Sequence, residues 1–246
     1  MTEDQEKYNC VECGKCCKGR LIPLTVNEAL QWIERGGRVG IASEAFDQAS
    51  WRLTPDEYAY HLKRSAPRKS KDSEISVICI LVGDALNQCP SLMENNLCGT
   101  YQNRPLVCQI YPVEINPFIK MNKDLKICPT EAWSSGEIIY SQSQPSEKYQ
   151  TLIFASRNAD HSEAERKVII SELLSLSTTA WKTDGIIVQF PTQIELLNAI
   201  TESKNNLHAQ PKEWRVQTYT PSVKSYLLDA SIHVNELEVE HLYIQL

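Results

Sequence analysis

The spacing of hydrophobic and polar positions predicts two helices in the first quarter of the chain. Thr25 and Glu28 have the spacing of a capping box, and apolar residues then recur at helical intervals until Gly36-Gly37 ends the helix. The segment Thr54–Glu57 begins a second helix, with a proline at the first helical position, where proline is tolerated. We expect irregular structure for residues 1–20.

The middle of the chain contains one clear strand signal. Ile75–Val82 is a β-branched, apolar run that predicts a buried strand, preceded by a loop over Ala66–Ser73. Cys79 lies inside this strand, so it is interpreted as a buried, inert thiol. A short helical segment is expected around Arg104–Cys108.

The second half of the chain has a different pattern, because residues 131–246 contain no cysteine. Helical and strand signals alternate there. Capped helices are predicted from Asp160/Glu163 and over 192–203, and a further helix over 222–230. Strands are predicted over Ile186–Phe190, Trp214–Tyr219 and Leu237–Gln245. The chain is therefore predicted to be α+β.

Charge and hydropathy bear on partners and location. The net charge of −6 is opposite to the basic surplus of nucleic-acid-binding proteins, so no nucleic-acid partner is expected. No apolar run approaches the roughly 18 residues of a membrane span, and the acidic start does not resemble a signal peptide. These features predict a cytoplasmic protein, in which thiols stay reduced.

Eight of the nine cysteines form one pattern of the kind that binds metals. Its members are Cys10, Cys13, Cys16, Cys17, Cys89, Cys98, Cys108 and Cys128. A Cys-x2-Cys turn places two sulfurs on one side of a tight loop. The first three cysteines have the spacing of the first ligands in a bacterial ferredoxin, but Cys17 follows at once, where the ferredoxin run has a longer gap. Since adjacent side chains diverge, we expect Cys16 and Cys17 to serve different metals, or one of them to bridge.

These segments resemble the CxxCxxCC (YkgJ-type) cysteine-cluster family, which is described as having a zinc- or iron-chelating domain. The matching segments are Cys10–Cys17, Cys98–Pro112 and Cys128-Pro129. The resemblance covers about residues 8–130 and implies metal or cluster binding without implying a particular reaction. We accordingly predict a cysteine-rich metal-binding domain in residues 1–130 and a small α+β C-terminal region of unknown role in residues 131–246.

The identity of the metal stays open at this point. Eight thiolates suit two four-coordinate sites, or one cluster plus one zinc. The ferredoxin-like run favours an iron–sulfur cluster or iron, with zinc as the close alternative. Arg104 is a candidate hydrogen-bond donor to the site or, equally, a residue that fixes the Pro105 turn; Tyr101 and Tyr111 are expected to pack around it. His61 is expected to be a packed or surface residue.

No sequence motif identifies a reaction. The chain lacks a phosphate loop, a dinucleotide-binding glycine motif, a nucleophile elbow and a zinc-protease motif. The leading hypothesis is a redox or accessory (assembly) module with a protein partner on its C-terminal half. The alternatives are an iron-dependent enzyme acting on a peptide or small molecule, a structural zinc protein, and a metal storage or delivery protein.

Overall fold

The structure is a computed structural model that describes residues 5–205, 211–235 and 241–245. The helices in these ranges are α1 Val26–Glu34, α2 Pro55–Leu62, α3 Leu106–Ile110, α4 Glu147–Ser162, α5 Ala164–Leu173, α6 Gln193–Glu202 and α7 Pro221–Asp229. The strands are β1 Gln5–Tyr8, β2 Arg20–Leu24, β3 Val39–Phe46, β4 Ala66–Ser70, β5 Ser73–Ala85, β6 Glu137–Ser141, β7 Gln144–Pro145, β8 Thr178–Trp181, β9 Gly185–Gln189, β10 Arg215–Gln217 and β11 Leu242–Gln245. The protein is α+β, as predicted.

The larger sheet has eight strands and includes segments from both halves of the chain. Its main path runs β10-β8-β3-β5-β2, while β4 pairs with β5, and β9 pairs with both β3 and β11. The β10–β8 and β8–β3 pairs are parallel, and the other pairs are antiparallel. Strands on both sides of residue 130 therefore share one sheet; the division into two domains at that residue stays a prediction.

The smaller sheet is antiparallel and has the order β1-β6-β7. Its apolar side packs on a second core cluster that includes Ile110, Ile139 and Tyr149, all buried. The largest core cluster lies against the eight-stranded sheet and includes Trp32, Trp181 and Trp214. The later cysteines divide between these two clusters, since Cys89 and Cys108 pack with the largest cluster and Cys128 packs against the second.

The helices with capping boxes are confirmed. In α1, α2 and α6, the threonine before the helix and the glutamate three residues later hydrogen-bond each other's backbone N–H groups. Strand β5 contains the predicted strand and extends it at both ends, and Cys79 is buried within it. Helix α7, strand β9 and strand β10 fall on predicted elements. The last predicted strand is partly outside the described residues, and its remainder forms β11.

Three predictions are wrong. The segment 66–73, predicted to be a loop, begins with strand β4. Its buried positions include Arg68 and Ser70, so the sequence lacks the alternation of apolar and polar residues that predicts a strand. Residues 1–20 contain β1 and a 3-10 turn at Lys15–Cys17. Asp160 is not a cap, because it lies inside α4, a helix that the sequence analysis missed. Only Tyr149, Ile153 and Ser156 of α4 are buried, which leaves a stripe too narrow to recognise.

The described helices also bear on the membrane question. Among them, none combines the length and apolar character that crossing a membrane requires.

Candidate metal centre

The pairing of β2 with β5 brings the first and second groups of cysteines together. The two strands are antiparallel, with Arg20 opposite Ala85, so the residues just before β2 face the residues just after β5. Beyond the strand ends, the Cys89 backbone N–H donates to the Cys17 carbonyl at 2.8 Å. Strand register therefore joins two cysteines that are 72 positions apart in sequence (89 − 17).

Cys16 and Cys17 lie on a 3-10 turn whose preceding residue, Gly14, has a left-handed backbone with φ of 68°. Glycine takes this conformation without steric cost. The two sulfurs do not diverge as expected, because they are 3.9 Å apart. For comparison, two sulfurs bound to one tetrahedral zinc at about 2.3 Å lie about 3.8 Å apart.

The next two cysteines are positioned by local backbone pairing. Cys98 forms an isolated antiparallel bridge with Leu92, which closes the loop after Cys89. Cys108 lies in the short helix α3, whose first N–H, that of Leu106, donates to the Glu28 carboxylate at 2.7 Å. Helix α1 therefore fixes the start of the helix that carries Cys108.

The smaller sheet positions Cys10 and Cys128. Cys10 follows β1, and the neighbouring Asn9 N–H donates to the Ala132 carbonyl at 2.8 Å. The Cys128 sulfur lies 3.4 Å from the Tyr8 hydroxyl and 3.7 Å from the Tyr111 hydroxyl. Two tyrosine hydroxyls therefore contact the last cysteine of the pattern.

These segments enclose a cavity of about 260 Å³. Its lining includes six of the eight pattern cysteines: Cys10, Cys16, Cys17, Cys89, Cys98 and Cys108. Cys128 is adjacent through Tyr8 and Tyr111, which both line the cavity. Cys13 is exposed and does not line it. Six of the eight predicted ligands therefore line the cavity, the seventh lies at its edge, and the eighth lies outside it.

Two arginines and four aromatic residues also line the cavity. The Arg104 guanidinium lies over the Tyr101 ring at 4.0 Å, and the Arg20 guanidinium lies 5.9 Å from the centre of the Tyr111 ring. Arg104 and both tyrosines were predicted near the site from the sequence, whereas Tyr8, Arg20 and Trp32 are lining residues that were not predicted. Trp32 was unpredictable because it reaches the cavity from α1, in a segment without a cysteine.

Contacts between thiols shift their acidity in opposite directions. The hydrogen bond with Cys17 lowers the pKa of Cys16 to about 6 and that of Cys89 to about 7. Cys17 has a raised pKa, chiefly because it donates to these two sulfurs. Burial is the main reason that the pKa of Cys108 rises to about 12. The cavity therefore contains both thiolate-prone and protonated sulfurs.

His61 was a further residue considered for the metal site, and it lies outside this cavity. His61 packs in an aromatic cluster, with its ring 5.4 Å from Trp51 and 6.3 Å from Phe46, and does not line the cavity. This confirms the expectation that it is a packed residue.

None of the nine cysteines, all of which are described, forms a disulfide.

The residues present fit a thiolate-bound metal in type and place, but their sulfurs are not arranged as a finished ligand set. Thiolates are the ligands that zinc and iron–sulfur clusters use in proteins. Yet in the described part of the chain, no three Cys, His, Asp or Glu side chains are grouped closely enough to hold one ion. The closest match is the Cys16–Cys17 pair, whose separation is that of two ligands of one tetrahedral ion.

Comparison of the sequence with known protein families defines the class of domain. Residues 9–129, about half of the chain, match the family model CxxCxxCC, described as "Putative zinc- or iron-chelating domain". This confirms the family predicted from the cysteine spacing: the segment is a CxxCxxCC domain, a class described by its chelation of zinc or iron. Neither the curated proteins nor the solved structures include a match to this chain.

Proposed function

We propose that the protein binds an iron–sulfur cluster, zinc or both through its cysteine set, and that it acts as a redox or accessory module. The observation that carries this proposal is the cavity lined by six cysteines from separate chain segments. A metal centre shared by these segments would link the two cores. The eight cysteines of the pattern are its proposed ligands.

A division of the ligands follows from their neighbours. Cys17, Cys89 and Cys108 pack with the largest core cluster, and Cys98 closes the adjoining loop. Cys10 and Cys128 pack against the second core cluster, which includes Tyr8. We infer two sites, with Cys16 at their border. Cys13, which is exposed and lies three positions after Cys10, is the remaining proposed ligand and is assigned to the second set.

The lining favours a module over an enzyme. The described residues that line the cavity include one carboxylate, Glu12, and no histidine. General acid–base catalysis most often uses histidine or a pair of carboxylates. The rival proposal, an iron enzyme, needs a ligand position open to substrate, and Cys13 outside the cavity is the one observation that favours it.

Two further parts of the proposal concern its setting. We infer a cytoplasmic location, because nine free thiols persist where the compartment is reducing. We also infer that residues 131–246 bind a protein partner. The acidic net charge supports the inference that the protein does not bind nucleic acid.

The test is metal and sulfide analysis with an absorption spectrum on full-length protein purified without oxygen. Iron with sulfide and visible absorption would support the cluster, and zinc without colour would support the zinc form. Cys17→Ser and Cys89→Ser should each reduce the bound metal by at least one site. The matched control is Cys79→Ala, which removes a buried thiol outside the cavity and should leave the metal content unchanged. Protein without metal would overturn the proposal.

A further inference from the structure

Within the part of the chain that the structure describes, three buried N–H groups of the cavity wall have no hydrogen-bond partner. They are Arg20 Nε, Trp32 Nε1 and Arg104 Nε, and all three residues line the cavity of the cysteines. A buried donor without an acceptor costs about 1–3 kcal/mol, so native proteins rarely leave one unpaired. Finding three around one cavity indicates that an acceptor belongs inside it.

Trp32 is held rigidly in this position. Its side chain is 1% exposed, and it occupies a slot formed by two glycines. A Cβ on Gly37 would lie 2.4 Å from the Trp32 Nε1 and 2.7 Å from the Pro90 ring, and a Cβ on Gly83 would lie 2.5 Å from the indole. The indole N–H therefore lies beside the Pro90 ring, one residue from Cys89. An indole nitrogen only donates, so it requires an acceptor there.

The two arginines are also oriented by their surroundings. Stacking of Arg104 on Tyr101 at 4.0 Å fixes the plane of its guanidinium. Arg20 is the first residue of β2, three positions after Cys17, and its guanidinium lies 5.9 Å from the centre of the Tyr111 ring. Both guanidinium groups stay charged and only donate. Their charge opposes the negative charge that several thiolates would bring into the cavity.

We propose that Trp32, Arg20 and Arg104 donate N–H···S hydrogen bonds to the sulfurs of the bound metal centre. This inference rests on the proposed function. Sulfur is the acceptor that the cavity offers in number, since six cysteines line it. Hydrogen bonds to metal-bound sulfur withdraw electron density, which stabilises the ligands and raises the reduction potential of a redox-active centre. These residues are thus positioning residues of the metal centre.

Cadmium offers a direct test on the unmodified full-length chain. Cadmium is a soft ion that occupies thiolate sites, and its NMR-active isotopes couple through N–H···S–Cd bonds to the donated proton. We expect cross-peaks from bound cadmium to the Trp32 indole proton and to the Nε protons of Arg20 and Arg104. The variants Trp32→Phe, Arg20→Lys and Arg104→Lys assign the three signals. The internal control is Trp51, which does not line the cavity and whose indole N–H donates to the Thr54 carbonyl at 3.2 Å; it should show no coupling.

The outcomes are separable. Bound cadmium with coupling to all three protons confirms the proposal, and a missing coupling removes that residue from it. Bound cadmium with no coupling to any of them overturns the inference while the proposed function stands. A protein that binds no cadmium, zinc or iron overturns both.

Discussion

The Glu28 carboxylate joins the N-termini of two helices. One oxygen accepts from the Thr25 N–H at 2.9 Å, as part of the α1 capping box, and the other accepts from the Leu106 N–H at 2.7 Å. Leu106 begins the helix that contains Cys108. A capping residue of one helix is therefore also the anchor of a cysteine-bearing helix.

Replacement of Glu28 should consequently affect the metal centre as well as stability. Glu28→Ala removes acceptors from two N–H groups, and we expect a loss of about 2 kcal/mol in the free energy of unfolding together with weaker retention of metal. Urea unfolding and metal competition with a chelator measure the two effects.

Glu195 supplies the matched control, because it closes the same kind of capping box on α6, where its carboxylate accepts from the N–H and the hydroxyl of Thr192. Glu195→Ala should reduce stability without changing metal retention. Equal metal retention in the two variants would show that Glu28 acts only as a cap.

The sequence predicted the parts of this site that local chemistry determines. The capping boxes and the cysteine pattern are visible because each follows from residues a few positions apart. The wall of the cavity was not predictable in the same way. Trp32 and Tyr8 reach it through packing, and strand β4 was hidden because its buried face includes Arg68, whose charge is balanced by helix α5 far along the chain. Contacts between distant parts of the chain determine where these residues lie, so the pattern of one segment does not predict them.

The slot around Trp32 makes a prediction about Gly83. Its Cβ would lie 2.5 Å from the indole, and the ring is too tightly packed to move away. Overpacking of this kind costs about 1–3 kcal/mol, so Gly83→Ala should reduce the free energy of unfolding by that amount. A double-mutant cycle tests the cause: with Trp32→Leu, which removes the ring, the added methyl group should cost much less. Equal costs in both backgrounds would place the strain elsewhere.

The buried Arg68–Glu172 ion pair gives a third prediction, which concerns stability. The Arg68 Nε lies 2.7 Å from the Glu172 carboxylate, and both side chains are buried. Glu172 also accepts from the Trp214 indole at 2.9 Å. Arg68→Met leaves this carboxylate buried without its cation, and loss of one partner of a buried pair costs about 3–5 kcal/mol.

The exposed Lys148–Glu137 pair, at 2.8 Å, is the comparison. Lys148→Met should cost less than about 1 kcal/mol, because solvent screens an exposed pair. Urea unfolding of both variants decides the matter, and similar losses would contradict the assignment of Arg68 as a buried structural cation.

His61 predicts how stability depends on pH. Burial is the main cause that lowers its pKa from 6.5 to about 4, and the Lys182 and Arg64 cations lower it further against the opposing effect of Glu57. Between these two values the unfolded chain binds a proton at this residue and the folded protein does not. Stability is therefore full above pH 6.5 and falls as the pH falls towards about 4, with a limiting slope of about 1.4 kcal/mol per pH unit.

The variant His61→Phe isolates this effect, since phenylalanine suits the aromatic cluster around Phe46 and Trp51 and does not titrate. Urea unfolding at about pH 7 and about pH 5 should show a smaller loss of stability in the variant than in the unmodified protein. The difference between the two losses measures the contribution of His61, because the other titrating groups are common to both proteins. Parallel losses would mean that the imidazole gains its proton in the folded state as easily as in the unfolded chain, and burial in this cluster would then impose no penalty on its charge.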